Sequence, residues 1–542
     1  PNPKPQTPNP KPQTPECMLS LLLLGLLVLP TLTFPLEQPV LTFGDTTEEI
    51  TMSVVTSGQS DIRPIVFLHN IATGEERTLE STHSRQYTKL IDLDQYSRLA
   101  YFFTTQITRN VQYEWAAELN GFILGPYPFI IRSGTETGDT KILYVADMDH
   151  GVVGVSTVRA MIHRGLHNYD MLIHGGDFAY DVNTNSGKNG DEFFQSMSGI
   201  TARLPYIITP GNHENFDNAE LFNYRFRMPN YSAKFDNNIY AFRKNNVLFF
   251  LVNFDAFLYL NKWTYNEMVE KAISLFETYK NDRRIKWRVA INHRPIYCGW
   301  YGKKECLYAP LYFKAFEDIY LKYKVDTVLS GHEHIYERMM LFKDWALVKG
   351  VEKKEIPLAH SEQGGVEYTN LPVPVYIVNG LSGTKGKTPM DLTDQIFPIN
   401  ENHKAGSPLY TDLRITEHEM EIKTIYSVNG SIADHVRIVR SAPPGFLSRI
   451  PSYVYSIFIA VVVTITLFIV QFMYFKNEQA KRLASHPADL TTPIHPDRAG
   501  SFINGSILDT SIQFPQSQDR DSLQSTDHYT RMHRDNTKQS MQ

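Results

Sequence analysis

The chain between residues 141 and 330 alternates short apolar runs with helix-like segments, and this alternation constrains the fold more than any other feature. Residues 142–146 and 171–173 are apolar runs of strand length, and residues 156–164 between them have the pattern of a helix closed by Gly165. Further apolar runs at 206–209, 247–252, 287–291 and 325–329 continue the series. Strands that alternate with helices predict a mostly parallel sheet covered on both faces.

Five of the predicted strands end in side chains that bind metal ions or move protons. In chain order these are Asp147, Asp177 with Tyr180, Asn212 with His213, His293, and His332 with His334. Ligands bind at the carboxyl ends of the strands in such sheets, so the fold would bring these residues together. Each has an ordinary structural explanation by itself, such as a turn aspartate or a core histidine. Five coincidences at five strand ends favour a shared site.

The predicted cluster offers oxygen and imidazole donors, which without thiolates suit iron, zinc or manganese. A carboxylate able to touch two ions, with ligands remaining for each, describes a dinuclear site with ions about 3.5 to 4 Å apart. Such a pair binds a phosphoryl group and generates hydroxide near neutral pH. The expected reaction is hydrolysis of a phosphate ester. Among the three cysteines, Cys298 and Cys306 close a short loop and favour a disulfide over a thiol nucleophile.

Four motifs resemble those of the purple acid phosphatases, within the metallophosphoesterase superfamily. Gly176-Asp177-Phe178-Ala179-Tyr180 resembles their GDxxY block, Gly211-Asn212-His213-Glu214 their GNH block, Asn292-His293-Arg294-Pro295 their third histidine block, and Gly331-His332-Glu333-His334 their GHxH block. The tyrosine three residues after the aspartate separates purple acid phosphatases from the wider superfamily, where a histidine commonly serves instead.

The resemblance implies a role for each of these side chains. Asp147, Asp177, Tyr180 and His334 would hold a ferric ion, and Asp177, Asn212, His293 and His332 a divalent ion, which is zinc, iron or manganese. His213 is implied to bind the phosphate and protonate the leaving alkoxide, and Glu214 to orient a neighbouring imidazole. The implied function is that of an acid phosphatase that hydrolyses phosphate monoesters by attack of metal-bound hydroxide.

Two departures from the family pattern leave alternatives open. The first block is Ala146-Asp147-Met148-Asp149-His150-Gly151 instead of Gly-Asp-x-Gly, so Asp149 or His150 remains a possible ligand beside Asp147. Tyr297, Cys298 and Trp300 stand where some plant-type members have further histidines, so substrate preference does not transfer. Two other functions also stay open. One is a phosphodiesterase or nucleotide pyrophosphatase with the same metals, and the other is a cell-surface binding protein that uses the fold as a scaffold.

The whole chain is predicted to contain two folded domains and a membrane anchor. Residues 1–17 form a low-complexity leader, 18–34 a signal peptide, 37–134 an all-β sandwich similar to fibronectin type III, 139–441 the catalytic α/β domain, 453–475 a transmembrane helix and 476–542 a disordered cytoplasmic tail. The resemblance implies a four-layered α/β/β/α sandwich for the catalytic domain. About seven strands are expected before residue 132, and residues 343–370 are expected to form a long loop.

Charge and composition predict the cellular compartment of the protein. Lys476, Lys481 and Arg482 follow the apolar stretch directly, so its C-terminal side is predicted to be cytoplasmic and the catalytic domain extracellular or lumenal. A single-pass type I protein of the plasma membrane or of endolysosomal membranes fits this arrangement, and the glycosylation sequons at Asn230 and Asn429 agree with it. The net charge of −5 argues against nucleic acid as the main partner.

Overall fold

The structure is a computed structural model that describes residues 36–57, 62–132, 139–260, 262–299, 304–344, 346–357, 365–384, 400–404, 406–441 and 452–484. The predicted leader and signal peptide, and residues 485–542 of the predicted tail, lie outside the described residues. The chain divides into two compact units, residues 1–445 and residues 446–542.

The described part of the first unit begins with a β region of eight strands. These are β1 (Glu37–Phe43), β2 (Glu49–Ser57), β3 (Ile65–Asn70), β4 (Glu76–Glu80), β5 (His83–Ile91), β6 (Asp94–Gln106), β7 (Gln112–Leu119) and β8 (Phe122–Ile130). They form two antiparallel sheets, in the orders β1-β2-β6-β5 and β4-β3-β7-β8. In β7, Tyr113, Trp115, Ala117 and Leu119 are buried and alternate with less buried residues, because every second side chain of a strand faces the core.

The rest of the unit contains seventeen further strands among the described residues. These are β9 (Thr140–Val145), β10 (Met171–His174), β11 (Tyr206–Ile208), β12 (Ile239–Lys244), β13 (Val247–Val252), β14 (Trp287–Asn292), β15 (Thr327–Ser330), β16 (Tyr336–Met339), β17 (Phe342–Lys343), β18 (Ala346–Leu347), β19 (Lys353–Ile356), β20 (Gly365–Thr369), β21 (Val375–Asn379), β22 (Asn400–Lys404), β23 (Leu409–Ile415), β24 (Glu419–Tyr426) and β25 (Ile432–Val439). Apart from the β17–β18 pair, they form two large sheets in the orders β11-β10-β9-β23-β24-β25-β20-β19 and β12-β13-β14-β15-β21-β16-β22.

Helices connect many of these strands. They are α1 (Val152–His163), α2 (Lys188–Ser196), α3 (Ser198–Thr201), α4 (Glu220–Asn223), α5 (Asp255–Leu258), α6 (Tyr265–Tyr279), α7 (Lys304–Tyr312) and α8 (Lys314–Lys322). Helix α6 shows why such segments form. Thr264 accepts the backbone N–H of Glu267, whose side chain accepts the N–H of Thr264 in return, and this capping box starts the helix. Met268, Ala272 and Phe276 recur at helical spacing and are buried.

The prediction of one mostly parallel sheet is wrong, because the strands divide between two mixed sheets. Strands β9, β10 and β11 run parallel in the first sheet, and β13, β14, β15 and β21 run parallel in the second. Strands β23, β24 and β25 add antiparallel pairs to the first sheet. Each sheet thus has its own parallel core, and periodicity along the chain does not reveal which strands share a sheet.

The prediction of a long loop at residues 343–370 is also wrong for part of that segment. Strands β17 to β20 lie in or overlap that segment, and β20 pairs in parallel with β25. Val366 and Tyr368 of β20 are buried and contribute to the core. Strands of two to five residues carry too few alternating positions for a period of two to be recognised in the sequence.

The second unit contains helix α9 (Ser452–Ala484), which covers the predicted transmembrane segment. Residues Ser456–Arg482 form a span of 27 residues that contains an 18-residue window with a mean hydropathy of 2.5. A helix of about 20 apolar residues is long enough to cross the hydrocarbon core of a bilayer. The helix is therefore a candidate membrane anchor by length and composition.

Candidate metal centre

The loops that leave five parallel strands carry the predicted ligand residues, and the structure brings them together. Asp147, Asp177 and Asn212 follow β9, β10 and β11 of the first sheet, whereas His293 and His332 follow β14 and β15 of the second. Asp147, Asp177 and His332 have φ angles of 56°, 56° and 70°. Left-handed backbone at non-glycine residues is costly and is often found at functional sites. The two sheets therefore contribute jointly to one site.

Asp147, Tyr180 and His334 form the first of two groups of side chains. The Tyr180 hydroxyl lies 3.2 Å from Asp147 Oδ1 and 2.8 Å from His334 Nε2. His334 Nε2 lies 3.5 Å from Asp147 Oδ1. The Asp147 carboxylate is fully buried and also accepts the backbone N–H of His332, at 3.0 and 2.8 Å from its two oxygens. A carboxylate, a phenol and an imidazole thus direct their polar atoms at one point.

Asp177, Asn212, His293 and His332 form the second group. Asn212 Oδ1 lies 2.7 Å from His332 Nδ1 and 3.2 Å from His293 Nε2. Asp177 Oδ1 lies 3.1 Å from the same nitrogen of His293. One ligand atom from each of Asp177, His293 and His332 lies within 4.8 Å of the other two, which is close enough for a single cation to contact all three.

The donor atoms of both groups fit iron, zinc or manganese. His293 Nδ1 lies 2.9 Å from the Gly175 carbonyl oxygen, and donation there leaves the lone pair of Nε2 directed at Asp177 and Asn212. The cysteines that the structure describes, Cys298 and Cys306, form the predicted disulfide and offer no thiolate. Oxygen and imidazole donors without thiolate select these three metals over softer ones.

Two glycines of the motifs are required by close approach of the backbone to the donor side chains. A Cβ atom at Gly211 would lie 2.3 Å from Asp177 Oδ1 and 2.7 Å from His293 Nε2. A Cβ atom at Gly331 would lie 2.2 Å from Asp147 Oδ2. Any other residue at these positions would displace a donor side chain, which explains the glycine that precedes Asn212 and the one that precedes His332.

The charges of the second group favour a bound cation. Burial alone would raise the pKa of Asp177, but the charge and hydrogen bond of His293 hold it below its ordinary value. Burial also opposes the charged form of His293, yet Asp177 raises the pKa of His293 to about 10. Metal ions compete with protons for such atoms, so metal binding here releases the proton of His293. Burial and the carboxylates of Asp147 and Asp177 raise the pKa of Tyr180, so its ligation likewise requires displacement of a proton.

His213 lies at the edge of the site and is paired with Asp181, which sequence analysis missed. His213 Nδ1 lies 2.6 Å from Asp181 Oδ1, and the ring centroids of His213 and Tyr180 are 4.6 Å apart. The other nitrogen, Nε2, lies 3.8 Å from Asp177 Oδ2. The Asp181 carboxylate holds the proton on Nδ1 and directs Nε2 towards the two groups. The only signal was an acidic residue directly after Tyr180, and acidic residues are too common in loops to single it out.

Glu214 does not orient an imidazole in the way that the resemblance implies. Its buried carboxylate accepts the backbone N–H groups of Gly211, Asp177 and Phe178, at 2.7, 2.9 and 2.9 Å. Burial and nearby Asp177 raise the pKa of Glu214, and the backbone donors oppose that rise. Glu214 thus ties the loop after β10 to the loop after β11, a contact that depends on loop conformation and has no sequence signature.

Asp149 and His150 make their contacts outside the two groups. Asp149 Oδ1 accepts the backbone N–H of Gly151 at 2.9 Å, and His150 Nε2 lies 3.4 Å from Glu192 Oε2. Asp147 is the residue of this loop that contacts Tyr180 and His334, as described above. The contacts therefore favour Asp147 over both alternatives.

Arg294 and Glu305 are charged residues at His332 that sequence analysis did not single out. Arg294 Nη1 lies 2.9 Å and Glu305 Oε2 lies 3.3 Å from His332 Nε2. Arg294 also pairs with Asp255 Oδ1 at 2.9 Å and with Glu305 itself. Glu305 stands in the first turn of α7, directly before Cys306, so the disulfide tethers it to the loop that follows His293.

Comparison with known proteins finds similarity to phosphoesterases. Residues 140–336 match the family described as calcineurin-like phosphoesterase. Acid phosphatase type 7 of Danio rerio is 27% identical over 236 residues, which cover 40% of this chain and 50% of that protein. Acid phosphatase type 7 of Homo sapiens is 28% identical over 292 residues, which cover 50% of this chain and 61% of that protein. The chain thus spans about half to three-fifths of the length of these relatives.

A solved structure shows the same fold. The purple acid phosphatase PPD1 from seeds of yellow lupin, Lupinus luteus, superposes with a TM-score of 0.60 at 17% sequence identity. The match covers 74% of each chain, which extends well beyond residues 140–336. The fold of the first unit is therefore a metallophosphoesterase fold with a β-rich region in front.

Proposed function

We propose, from the premise that residues 140–336 are a calcineurin-like phosphoesterase domain related to the purple acid phosphatases, that this protein is a metal-dependent acid phosphatase acting on phosphate monoesters. The observation that carries the proposal is the meeting of seven donor side chains from five strand ends in two adjoining groups. Structural roles for individual residues would not require five separate loops from two sheets to meet at one place.

The two groups suggest how the ligands divide between two ions. We assign Asp147, Tyr180 and His334 to a ferric ion, Asn212, His293 and His332 to a divalent ion of zinc, iron or manganese, and Asp177 to both. The distances support the membership of the two groups, since contacts of 2.7 to 3.5 Å join each group internally. The place of Asp177 at both ions and the identity of the ions follow from the resemblance to purple acid phosphatases. A phenolate from Tyr180 suits a hard ferric ion. Bound ions would neutralise the charge of the phosphoryl group and supply an activated water.

His213 is proposed to bind the phosphate and to protonate the leaving alkoxide. Its side chain is 30% exposed, so a substrate at the cluster can reach it. Asp181 holds the proton of Nδ1, which leaves Nε2 as the atom that delivers a proton to the leaving oxygen.

We also propose that the protein is a single-pass type I membrane protein with its catalytic unit outside the cell or in an endolysosomal lumen. Helix α9 supplies the span, and Lys481 and Arg482 near its C-terminal end favour the cytoplasm. Asn429 and Asn230 are both exposed, and Asn429 is the better glycosylation candidate because its contacts with Ser431 fall on Oδ1 and not on the amide nitrogen. Asn230 instead donates its amide Nδ2 to the Ala241 carbonyl at 2.7 Å. We further propose that the N-terminal β region has a fibronectin-III-like topology and that the phosphoesterase domain is a four-layered α/β/β/α sandwich.

The decisive experiment is metal analysis of the purified protein together with its visible spectrum. We expect two ions per chain and a tyrosinate-to-iron absorption band that is lost in Tyr180→Phe. Asp177→Asn and Asp147→Asn should lose metal and activity together, whereas Asp149→Asn, in the same loop as Asp147, should keep both. Full turnover by Asp177→Asn would overturn the assignment.

Kinetics then separate the proposed activity from its rivals. We expect 4-nitrophenyl phosphate to be hydrolysed with a higher kcat/KM than bis(4-nitrophenyl) phosphate in the acidic range. A reversed preference would establish the phosphodiesterase alternative. A folded protein that is colourless and takes up no metal from iron- and zinc-containing buffer would establish the scaffold alternative.

A further inference from the structure

The β5–β6 hairpin of the N-terminal β region contacts two segments that carry residues of the candidate metal centre. The hairpin comprises β5, the turn at residues 92–93 and β6. One segment, 181–187, follows Tyr180, and the other, 215–219, follows His213. The contacts reach from the β region into the phosphoesterase domain.

The end of the hairpin holds the first segment. Asp92 Oδ2 accepts the backbone N–H of Ser186 at 3.2 Å, and Asp94 Oδ2 accepts its hydroxyl at 2.8 Å. Gly187 lies against the ring of Tyr96, since a Cβ atom at Gly187 would lie 2.6 Å from that ring. The end of segment 181–187 is therefore fixed on the hairpin by two hydrogen bonds and one packing contact.

Strand β5 holds the second segment through Asp217. The Tyr87 hydroxyl donates to Asp217 Oδ2 at 2.9 Å, and the Lys89 ammonium pairs with Asp217 Oδ1. Tyr87 is buried, and its ring stacks on Tyr224 with centroids 5.6 Å apart. Burial of Tyr87 makes this contact more rigid than a surface ion pair would be.

Both segments contain residues whose backbone needs outside support. Asn185 and Ser186 have φ angles of 54° and 56°, and Asp217, Asn218 and Ala219 have φ angles of 51°, 56° and 63°. Such conformations are costly for residues other than glycine and persist only where neighbouring structure holds them. The hairpin contacts fall on Ser186 and Asp217, inside these two runs.

The two segments meet at the Asp181–His213 pair. Asp181 begins the first segment and His213 stands two residues before the second, with 2.6 Å between Oδ1 and Nδ1. We propose that the β5–β6 hairpin is a positioning element of the active centre, which sets the geometry of the Asp181–His213 pair by holding both segments. This inference rests on the proposed function, and it extends the active unit beyond residues 140–336 into the β region.

Charge reversal at the Lys89–Asp217 pair tests the inference. We expect Lys89→Asp and Asp217→Lys each to fold and to keep the metal content of the wild type, with kcat lowered about 10-fold and KM little changed, since misplacement of a catalytic group by about 1 Å costs up to roughly 10²-fold. In the double variant the ion pair forms again with opposite sign, and the Tyr87 hydroxyl can accept a hydrogen bond from the new lysine. We therefore expect kcat to recover.

Hydrogen–deuterium exchange gives a second readout that does not depend on activity. Exchange at residues 181–187 and 215–219 should rise in each single variant and fall again in the double variant. Glu76→Lys is the matched control, because it reverses an exposed charge on β4, which belongs to the other sheet of the same β region. If charge reversal prevents folding, Tyr87→Phe takes its place, because this change removes only one hydroxyl. It should lower kcat and raise exchange, as expected for the charge reversals.

The outcomes separate the two proposals. If the wild type hydrolyses monoesters and the folded single variants retain its kcat, or if exchange in both segments is unchanged, the hairpin is only a packing surface. A loss of kcat that the double variant does not restore would also overturn the inference. A wild type without phosphatase activity overturns the proposed function instead, and the exchange experiment still decides whether the hairpin holds the two segments.

Discussion

Glu214 holds two ligand-bearing loops with one buried carboxylate, since it accepts backbone N–H groups from both. In Glu214→Gln the side-chain amide keeps one acceptor oxygen, but its NH₂ group, itself a donor, would face a backbone N–H donor. We therefore expect Glu214→Gln to lower the free energy of unfolding by about 1 to 3 kcal/mol, the cost of leaving a buried donor unpaired. Metal content should fall as well, because Asp177 and Asn212 lie in the two loops.

Urea unfolding and metal analysis of the purified variant check this expectation. Glu192→Gln is the control, since the Glu192 side chain is 62% exposed and its loss should change neither quantity. Wild-type stability and wild-type metal content in Glu214→Gln would show that the loops hold their positions without this carboxylate.

His174 makes the stability of the protein depend on pH. Its fully buried ring lies in β10, with Nδ1 2.7 Å from the Tyr206 hydroxyl. Burial lowers the pKa of His174 to about 3, and the positive charge of His293 adds to the effect. In the unfolded chain His174 binds a proton below a pH of about 6.5. In the folded chain it stays neutral until the pH approaches 3. Stability is therefore lost as the pH falls through this window, by about 1.4 kcal/mol per pH unit.

Unfolding free energies between pH 7 and pH 4 test the contribution of His174. In His174→Gln the loss of stability per pH unit should be smaller than in the wild type, whatever the absolute stability of the variant. His167→Gln removes an exposed histidine and should leave the wild-type slope intact. Parallel curves for the wild type and His174→Gln would show that another group governs this range.

Helix α7 carries a carboxylate to a proposed ligand. A metal ion on His332 Nδ1 requires the proton on Nε2, and Glu305 can accept that proton in a hydrogen bond whereas Arg294 can only donate. We expect Glu305→Gln to weaken binding of the divalent ion by about 10-fold, the lower end of the range for partners of ligating histidines. Competition with a chelator, followed by metal analysis, measures this affinity without reference to turnover.

The disulfide gives the same element a second test. Because Cys306 directly follows Glu305, the double substitution Cys298→Ser and Cys306→Ser should release α7. It should weaken binding of the divalent ion about as much as Glu305→Gln does. Combining it with Glu305→Gln should add little, since both changes act on one contact. Asp318→Asn, on the exposed face of α8, is the control. Fully additive effects would mean that the disulfide and Glu305 act separately.

At the scale of the whole molecule, the sequence predicts which side chains meet at the candidate metal centre better than it predicts the arrangement of the sheets. Each motif lies within one short segment at the end of a strand. The local sequence pattern is therefore enough to find Asp177, Asn212 or His332. The division of the strands between two sheets depends on long-range pairing such as that of β9 with β23, which periodicity does not encode. Asp181 and Glu214 have roles that depend on how loops from different strands meet, so the structure was needed to identify them.

The two compact units predict that catalysis and membrane attachment can be separated. The residues of the metal centre and the β5–β6 hairpin all belong to the first unit, residues 1–445, and the candidate span belongs to the second. A chain that ends at residue 441 should therefore fold, load metal and hydrolyse monoesters with the kcat of the full chain in detergent. It should enter the aqueous phase of a Triton X-114 separation, whereas a chain that lacks only residues 485–542 should enter the detergent phase. Retention of the shorter chain in the detergent phase, or its failure to bind metal, would show that the first unit does not act alone.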